Sequence, residues 1–228
     1  MTSLKQTAIK LGAGAFLLAA TLGSQVALAA PVELVTNGGF ETGTLSGWSI
    51  NALSTTGTCP SDNRNWNVST SGSATGCSTV ANPSGSTYAA YVMGDGTGPL
   101  TYKLTQTIAD PLGAIGGILS FDWTSANSSD AGRTFSVLLD GSTVFSSSTS
   151  GNFGWTHESF DVSALLASNA GTPITLEFDN FIPSTWTGPA GLGLDNVSIA
   201  ASVPEPVSLA LLGIGLLGFG ASRKRKQA

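Results

Sequence analysis

Between residues 30 and 200 the apolar side chains recur at every second position in short runs, a spacing that restricts the chain to strands. Leu119, Phe121 and Trp123 alternate with Ser120 and Asp122, and Ile174, Leu176 and Phe178 alternate with Thr175, Glu177 and Asp179. A period of two gathers the apolar residues of a strand on one face, so a second layer must cover that face. The turn Asp140-Gly141 between Phe135–Leu139 and Thr143–Phe145 predicts a hairpin, because Asp-Gly tolerates the positive φ of a tight turn. Leu192 and Leu194 are followed by Val197 and Ile199, a change of parity that predicts a β-bulge around Asp195-Asn196. Only Ser163 to Ser168 reads as a turn of helix. The recurrent Gly, Ser, Thr and Asn between runs predict an all-β sandwich or barrel. About 170 residues are enough for one domain with its own core, and the linker that follows is expected at Ala200 to Val203.

The two ends follow other rules. Lys5 and Lys10, the apolar stretch Leu11 to Leu22 and the small-residue site Ala27-Leu28-Ala29 predict a signal peptide over residues 1–29, cut before Ala30. At the other end, residues 201–228 hold Val203-Pro204-Glu205-Pro206, an uncharged segment from Val207 to Ala221, and the basic tail 222–228 with Arg223, Lys224, Arg225 and Lys226. The two prolines keep 203–206 extended and outside any following helix. A helix over 207–221 would span about 22 Å, short of the roughly 30 Å hydrocarbon core. Local thinning and snorkelling of the basic side chains would make up the difference. Those four cations set the tail in the cytoplasm.

This order of Val-Pro-Glu-Pro, hydrophobic segment and Arg-Lys-Arg-Lys resembles the PEP-CTERM sorting signal, also known as an ice-binding protein C-terminal domain. The resemblance implies recognition by an exosortase in the inner membrane of a Gram-negative bacterium that makes extracellular polysaccharide. The protein would be held there transiently and then released to the cell surface or the extracellular matrix.

Removal of both ends alters the charge to be explained. Between Ala30 and Ser202 only Arg64, Lys103 and Arg133 are basic, against 13 acidic residues, so this part carries about −10 while the whole chain carries −5. So few cations exclude nucleic acid as a partner, because phosphate neutralisation requires Lys and Arg. Divalent cations and neutral polysaccharides are compatible with the balance.

A second resemblance covers residues 35 to 200. Asn37-Gly38-Gly39-Phe40-Glu41, with Leu45 and Gly47-Trp48, is similar to the opening strand of galactose-binding-like jelly rolls and carbohydrate-binding modules. Gly193-Leu194-Asp195-Asn196-Val197-Ser198-Ile199 is similar to their closing strand. The resemblance implies a jelly-roll β-sandwich ectodomain over 30–200. It also implies one structural Ca2+ held by Glu41 and Asp195, with carbonyls near Gly39 completing a shell of hard oxygens. The alternative is that the two carboxylates only cap turns.

Cys59 and Cys77, both in the exported part, are expected to pair. Closure of that loop would contribute roughly 3 kcal/mol. A metal or redox site is the alternative, without a CxxC or a neighbouring His to favour it. Sugars stack on aromatic rings, and Trp66, Tyr88, Tyr91, Trp155 and Trp186 are candidates for such contacts. Trp66 and Trp186, in polar stretches, are expected to be the exposed ones, whereas Trp48 and Trp123 fit the core.

Chemistry beyond binding has little support. His157 is the sole histidine, no G-x-S-x-G accompanies it, and there is no phosphate loop, dinucleotide fingerprint or zinc motif. The expectation is a non-catalytic surface or matrix protein that binds extracellular polysaccharide. The alternatives are an adhesive or structural protein contacting protein or ice, and, more remotely, a polysaccharide hydrolase using two of the acids.

Overall fold

A computed structural model of the chain describes residues 31–53, 64–73, 79–94, 98–109, 114, 116–127, 132–183 and 190–203. Two antiparallel sheets face each other across one apolar core, and a small hairpin lies on the outside of the first. The strands of the first sheet are β1 (Val32–Glu33), β3 (Asn67–Ser69), β6 (Ala89–Gly94), β8 (Gly116–Asn127), β11 (Gly151–Asp161) and β13 (Ala190–Ser202). Their order is β11-β8-β13-β6-β3, with β1 paired to the end of β13. The second sheet has the order β10-β9-β12-β7-β2, from β2 (Ser49–Ile50), β7 (Leu100–Ile108), β9 (Thr134–Leu139), β10 (Ser142–Ser148) and β12 (Ile174–Ile182). The hairpin consists of β4 (Ser71–Ser73) and β5 (Thr79–Ala81), and α1 (Ser163–Ser168) is the single turn expected there.

The alternation read along the chain is the alternation of the two faces. Leu119, Phe121 and Trp123 of β8, Phe135, Val137 and Leu139 of β9, and Leu176 and Phe178 of β12 are all buried between the sheets. Phe121 sits at the centre of an aromatic cluster, with ring centroids 5.6–6.1 Å from Phe135, Phe145, Phe160 and Phe178. Trp48 and Trp123 belong to the same core, as expected. The β9–β10 hairpin turns at Asp140 (φ 50) and Gly141 (φ 75), the backbone that the Asp-Gly pair requires. The register of β13 against β8 slips between Asp195 and Ser198, and Asn196 has φ 50, so the bulge lies where the parity changes.

β13 continues through Ser202, with Ala201 buried and paired to Val32, so the strand takes in three residues, Ala200 to Ser202, of the stretch read as linker. Ladder bonds to β1 and β8 are available up to Ser202, and the chain leaves the sheet only there. The signal peptide at 1–29, Cys59 and Cys77, Trp186, and the sorting segment from Pro204 onward all lie outside the described residues. Among those described, no helix is long and apolar enough to cross a membrane.

Candidate functional site

The opening and closing segments meet as the jelly-roll resemblance implies. Leu34 N–H donates to the Ile199 carbonyl (3.0 Å) and Val197 N–H to the Gly38 carbonyl (3.0 Å), while Glu33 accepts from Ile199 N–H at 2.9 Å. Between these anchors the chain makes a tight loop with Asn37 (φ 53) and Phe40 (φ 54) in the left-handed region. Asn adopts that conformation readily, but a bulky aromatic there is strained. Phe40 is held in it by complete burial against Trp48, at 5.6 Å between ring centroids. The loop sets Gly39 beside Asp195 and Asn196 at the bulge of β13.

Glu41 and Asp195 are brought to the same spot. A side chain built at Gly39 would place its Cβ 4.0 Å from Asp195 Oδ1, 4.0 Å from Glu41 Cγ and 3.9 Å from Asn196 Oδ1. Glu41 Oε1 accepts the Thr87 N–H at 2.9 Å, tying in the segment before β6. Asp195 is fully buried, and its Oδ1 accepts the Asn196 N–H at 2.7 Å. Its Oδ2 is buried with no hydrogen-bond partner. Burial pushes the Asp195 carboxyl up to about 6, with the charges of Glu41 and Asp122 adding to it and bonds from Ser86 and Asn196 opposing. A buried carboxylate oxygen without a donor is costly unless something cationic faces it. The Glu41 and Asp195 carboxylates and the Asn196 amide oxygen are hard-oxygen donors of the kind Ca2+ takes, so the residues gathered around Gly39 fit the expected ion in chemistry. Among the described residues no three His, Cys, Asp or Glu side chains form a cluster, so an ion here would draw on carbonyl and amide oxygens as well.

The aromatic candidates separate sharply. Trp66 is not exposed: it is 2% accessible, packs in the main core and donates its Nε1–H to the Tyr102 carbonyl at 3.1 Å. Its polar neighbours Asn65 and Asn67 made it look like a loop residue, yet the indole points inward between the sheets. It therefore offers no surface to a sugar. Tyr91 is also buried, beneath the β4–β5 hairpin with Met93 and Val80. Burial holds its phenol well above its ordinary range, and the Asp195 charge adds to this. Tyr88 and Trp155 are half-exposed.

His157 stands on β11, largely exposed, with Nδ1 2.7 Å from Asp122 Oδ1; the other Asp122 oxygen accepts from the Asn196 amide at 2.7 Å. Among the described residues no serine hydroxyl bonds to His157.

A second polar group, which the alternation did not single out, lies on the outer face of the second sheet. Lys103 Nζ is 2.5 Å from Glu177 and 3.5 Å from Asp179. Asp179 Oδ1 is buried and has no hydrogen-bond partner. Burial pushes Asp179 up to about 6 from 3.8, the Glu177 charge adds, and Lys103 opposes without winning. An acid with a raised folded pKa favours the fold when protonated. Stability is therefore greatest below the unfolded pKa, falls as pH rises toward about 6, and is level above that. Asp179 titrates together with Glu177 and Lys103, so the fall belongs to the three groups as a unit. Urea titrations from pH 3.5 to 7 should show a shallower fall for Asp179→Asn than for the unaltered protein. An unchanged slope would assign it to other groups.

Residues 202–226 match the family model of the PEP-CTERM protein-sorting motif. A motif of this kind marks an exported cell-surface protein. No curated protein matches the chain significantly. Two solved structures from Fischerella sp. TAU, a Stig cyclase and a cyclase bound to 4-(1H-indol-3-yl)butan-2-one, each align with 77% of this chain and 100% of their own. Their TM-scores are 0.51, at 16% and 17% identity. TmCBM61, solved with β-1,4-galactotriose, aligns with 74% of this chain and 97% of its own, at 17% identity and a TM-score of 0.47. At such identities the likeness to the two cyclases is one of fold alone.

Proposed function

We propose that the protein is exported, processed at its C-terminus by an exosortase-type enzyme after a transient stay in the inner membrane, and released as a non-catalytic surface or matrix protein. Its sandwich associates with extracellular polysaccharide in a Gram-negative envelope. The observation that carries this reading is the sorting motif at 202–226, which begins at Ser202, the last residue of β13. The acidic, cation-poor sandwich fits a neutral partner and disfavours a polyanion. Ca2+ at Glu41 and Asp195 is part of the proposal: it would neutralise the carboxylate oxygen that otherwise lies buried without a donor.

Replacement of Pro204 and Pro206 by Ala should leave the precursor in the membrane with its tail attached, as followed by fractionation and mass spectrometry. Release of a tail-free product from that variant would refute the processing route. The cation is tested separately by thermal melts. Chelation should lower the midpoint by several degrees, and Asp195→Asn should abolish the difference between chelated and Ca2+-loaded protein. Identical midpoints for the unaltered protein in both conditions would remove the ion from the proposal.

A further inference from the structure

The outer face of the first sheet carries a groove of about 410 Å³ between the β4–β5 hairpin and β11. That volume falls within the roughly 300–1,000 Å³ of small-molecule sites. Its lining includes Val80, Ala81, Thr124, Asn152, Phe153 and Trp155, and no charged side chain.

Trp155 reaches this groove through a fault in the strand. Phe153 pairs with Ser125 and Thr156 with Trp123, so β11 holds one more residue than β8 across that interval. Strict alternation would put Phe153 and Trp155 on the same face. The bulge instead leaves Phe153 against Trp123 in the core, at 4.7 Å, and carries Trp155 to the outside with His157. There the indole is fixed at both ends. Its Nε1–H donates to the Ala81 carbonyl at 2.8 Å, and its benzo edge lies over Gly193, where any Cβ would come within 2.8 Å of Cη2. Tyr91 meets it edge to face at 6.4 Å. A half-exposed indole already held in place loses no rotamer freedom when a ligand stacks on it.

The polar groups around the ring suit hydroxyls. Asn152 is exposed and offers an amide donor and acceptor. Thr124 Oγ1 spends its proton on the Phe153 carbonyl (2.7 Å) and retains lone pairs to accept. With no cation in the groove and about −10 on the domain, an anionic chain has nothing to pair with. The mixed apolar and amide lining is matched by a pyranose, which has an apolar C–H face and a hydroxyl rim.

We propose that this groove is a binding site for a neutral polysaccharide, with a pyranose ring stacked on Trp155 and its hydroxyls met by Asn152. The inference rests on the polysaccharide reading above and names its site. Affinity electrophoresis of the detergent-solubilised full chain through gels holding soluble galactan, glucomannan, xylan or β-glucan, with polygalacturonate as the anionic probe, tests it. The unaltered protein should be retarded by at least one neutral polymer, Trp155→Ala should weaken that retardation about tenfold or more, and Asn152→Ala should weaken it severalfold. Asn152→Ala changes an exposed side chain and should keep the melting midpoint, so its loss of binding cannot be attributed to unfolding. Retardation equal in both variants and the unaltered protein would overturn the site while leaving the polysaccharide reading intact. No retardation by any neutral polymer, or retardation by polygalacturonate alone, would overturn both.

Discussion

Replacement of Phe121 by Ala is expected to destabilise the sandwich by about 3–5 kcal/mol. Phe121 is fully buried, and four phenylalanine rings from both sheets and from β10 and β11 close around it. Its removal opens a void that rigid aromatic neighbours cannot collapse into, so the cavity cost adds to the lost transfer energy. Urea unfolding followed by tryptophan fluorescence should show the midpoint falling in proportion. Ile118→Ala is the matched control: it lies on the same strand three residues earlier, faces outward and is 45% exposed, so its effect should stay within about 0.5 kcal/mol. A loss below about 1.5 kcal/mol for Phe121→Ala would contradict the packing of the two sheets at that point.

Gly38→Ala should be nearly as damaging for a different reason. A Cβ at Gly38 would lie 1.8 Å from the Val197 carbonyl oxygen, a backbone atom that cannot turn aside as a side chain can. To accommodate it, the opening loop must separate from β13, breaking the Val197 N–H bond to the Gly38 carbonyl. The expected cost is about 2–3 kcal/mol, from overpacking and a lost buried hydrogen bond together. The same separation pulls Glu41 away from Asp195, so the response to Ca2+ proposed above should shrink as well. Gly116→Ala, whose Cβ would meet nothing nearer than 3.7 Å, should leave both quantities unchanged. If Gly38→Ala melted normally but lost the response to Ca2+, the loop would act on the ion alone and not on the fold.

The legibility of these features differs by physical cause. The faces of β8, β9 and β12 follow from a period of two, a local property that needs no knowledge of partners. The turn at Asp140-Gly141 and the bulge at Asp195-Asn196 are local as well, since each is signalled by backbone tolerance or by a change of parity within a few residues. The meeting of Glu41 with Asp195 was legible only through the resemblance of the two segments to opening and closing strands, because 154 positions separate them in the chain. Asp179 and Lys103 were invisible as a pair, since the register of β12 against β7 sets them opposite each other.

The aromatic residues show most plainly where local reading ends. Trp66 has polar neighbours and the look of a loop, but the space between the sheets and the Tyr102 carbonyl draw it inward. Trp155 has the opposite history: two residues after the core Phe153, alternation would bury it, and one extra residue in β11 turns it out over Gly193. The destination of the chain and its all-β class are written in local pattern, in the order of Pro-Glu-Pro, apolar segment and basic tail and in the alternation of the strands. Which rings reach solvent, and which carboxylates share a site, depended on strand register and on a bulge, both set by pairing between segments far apart in sequence.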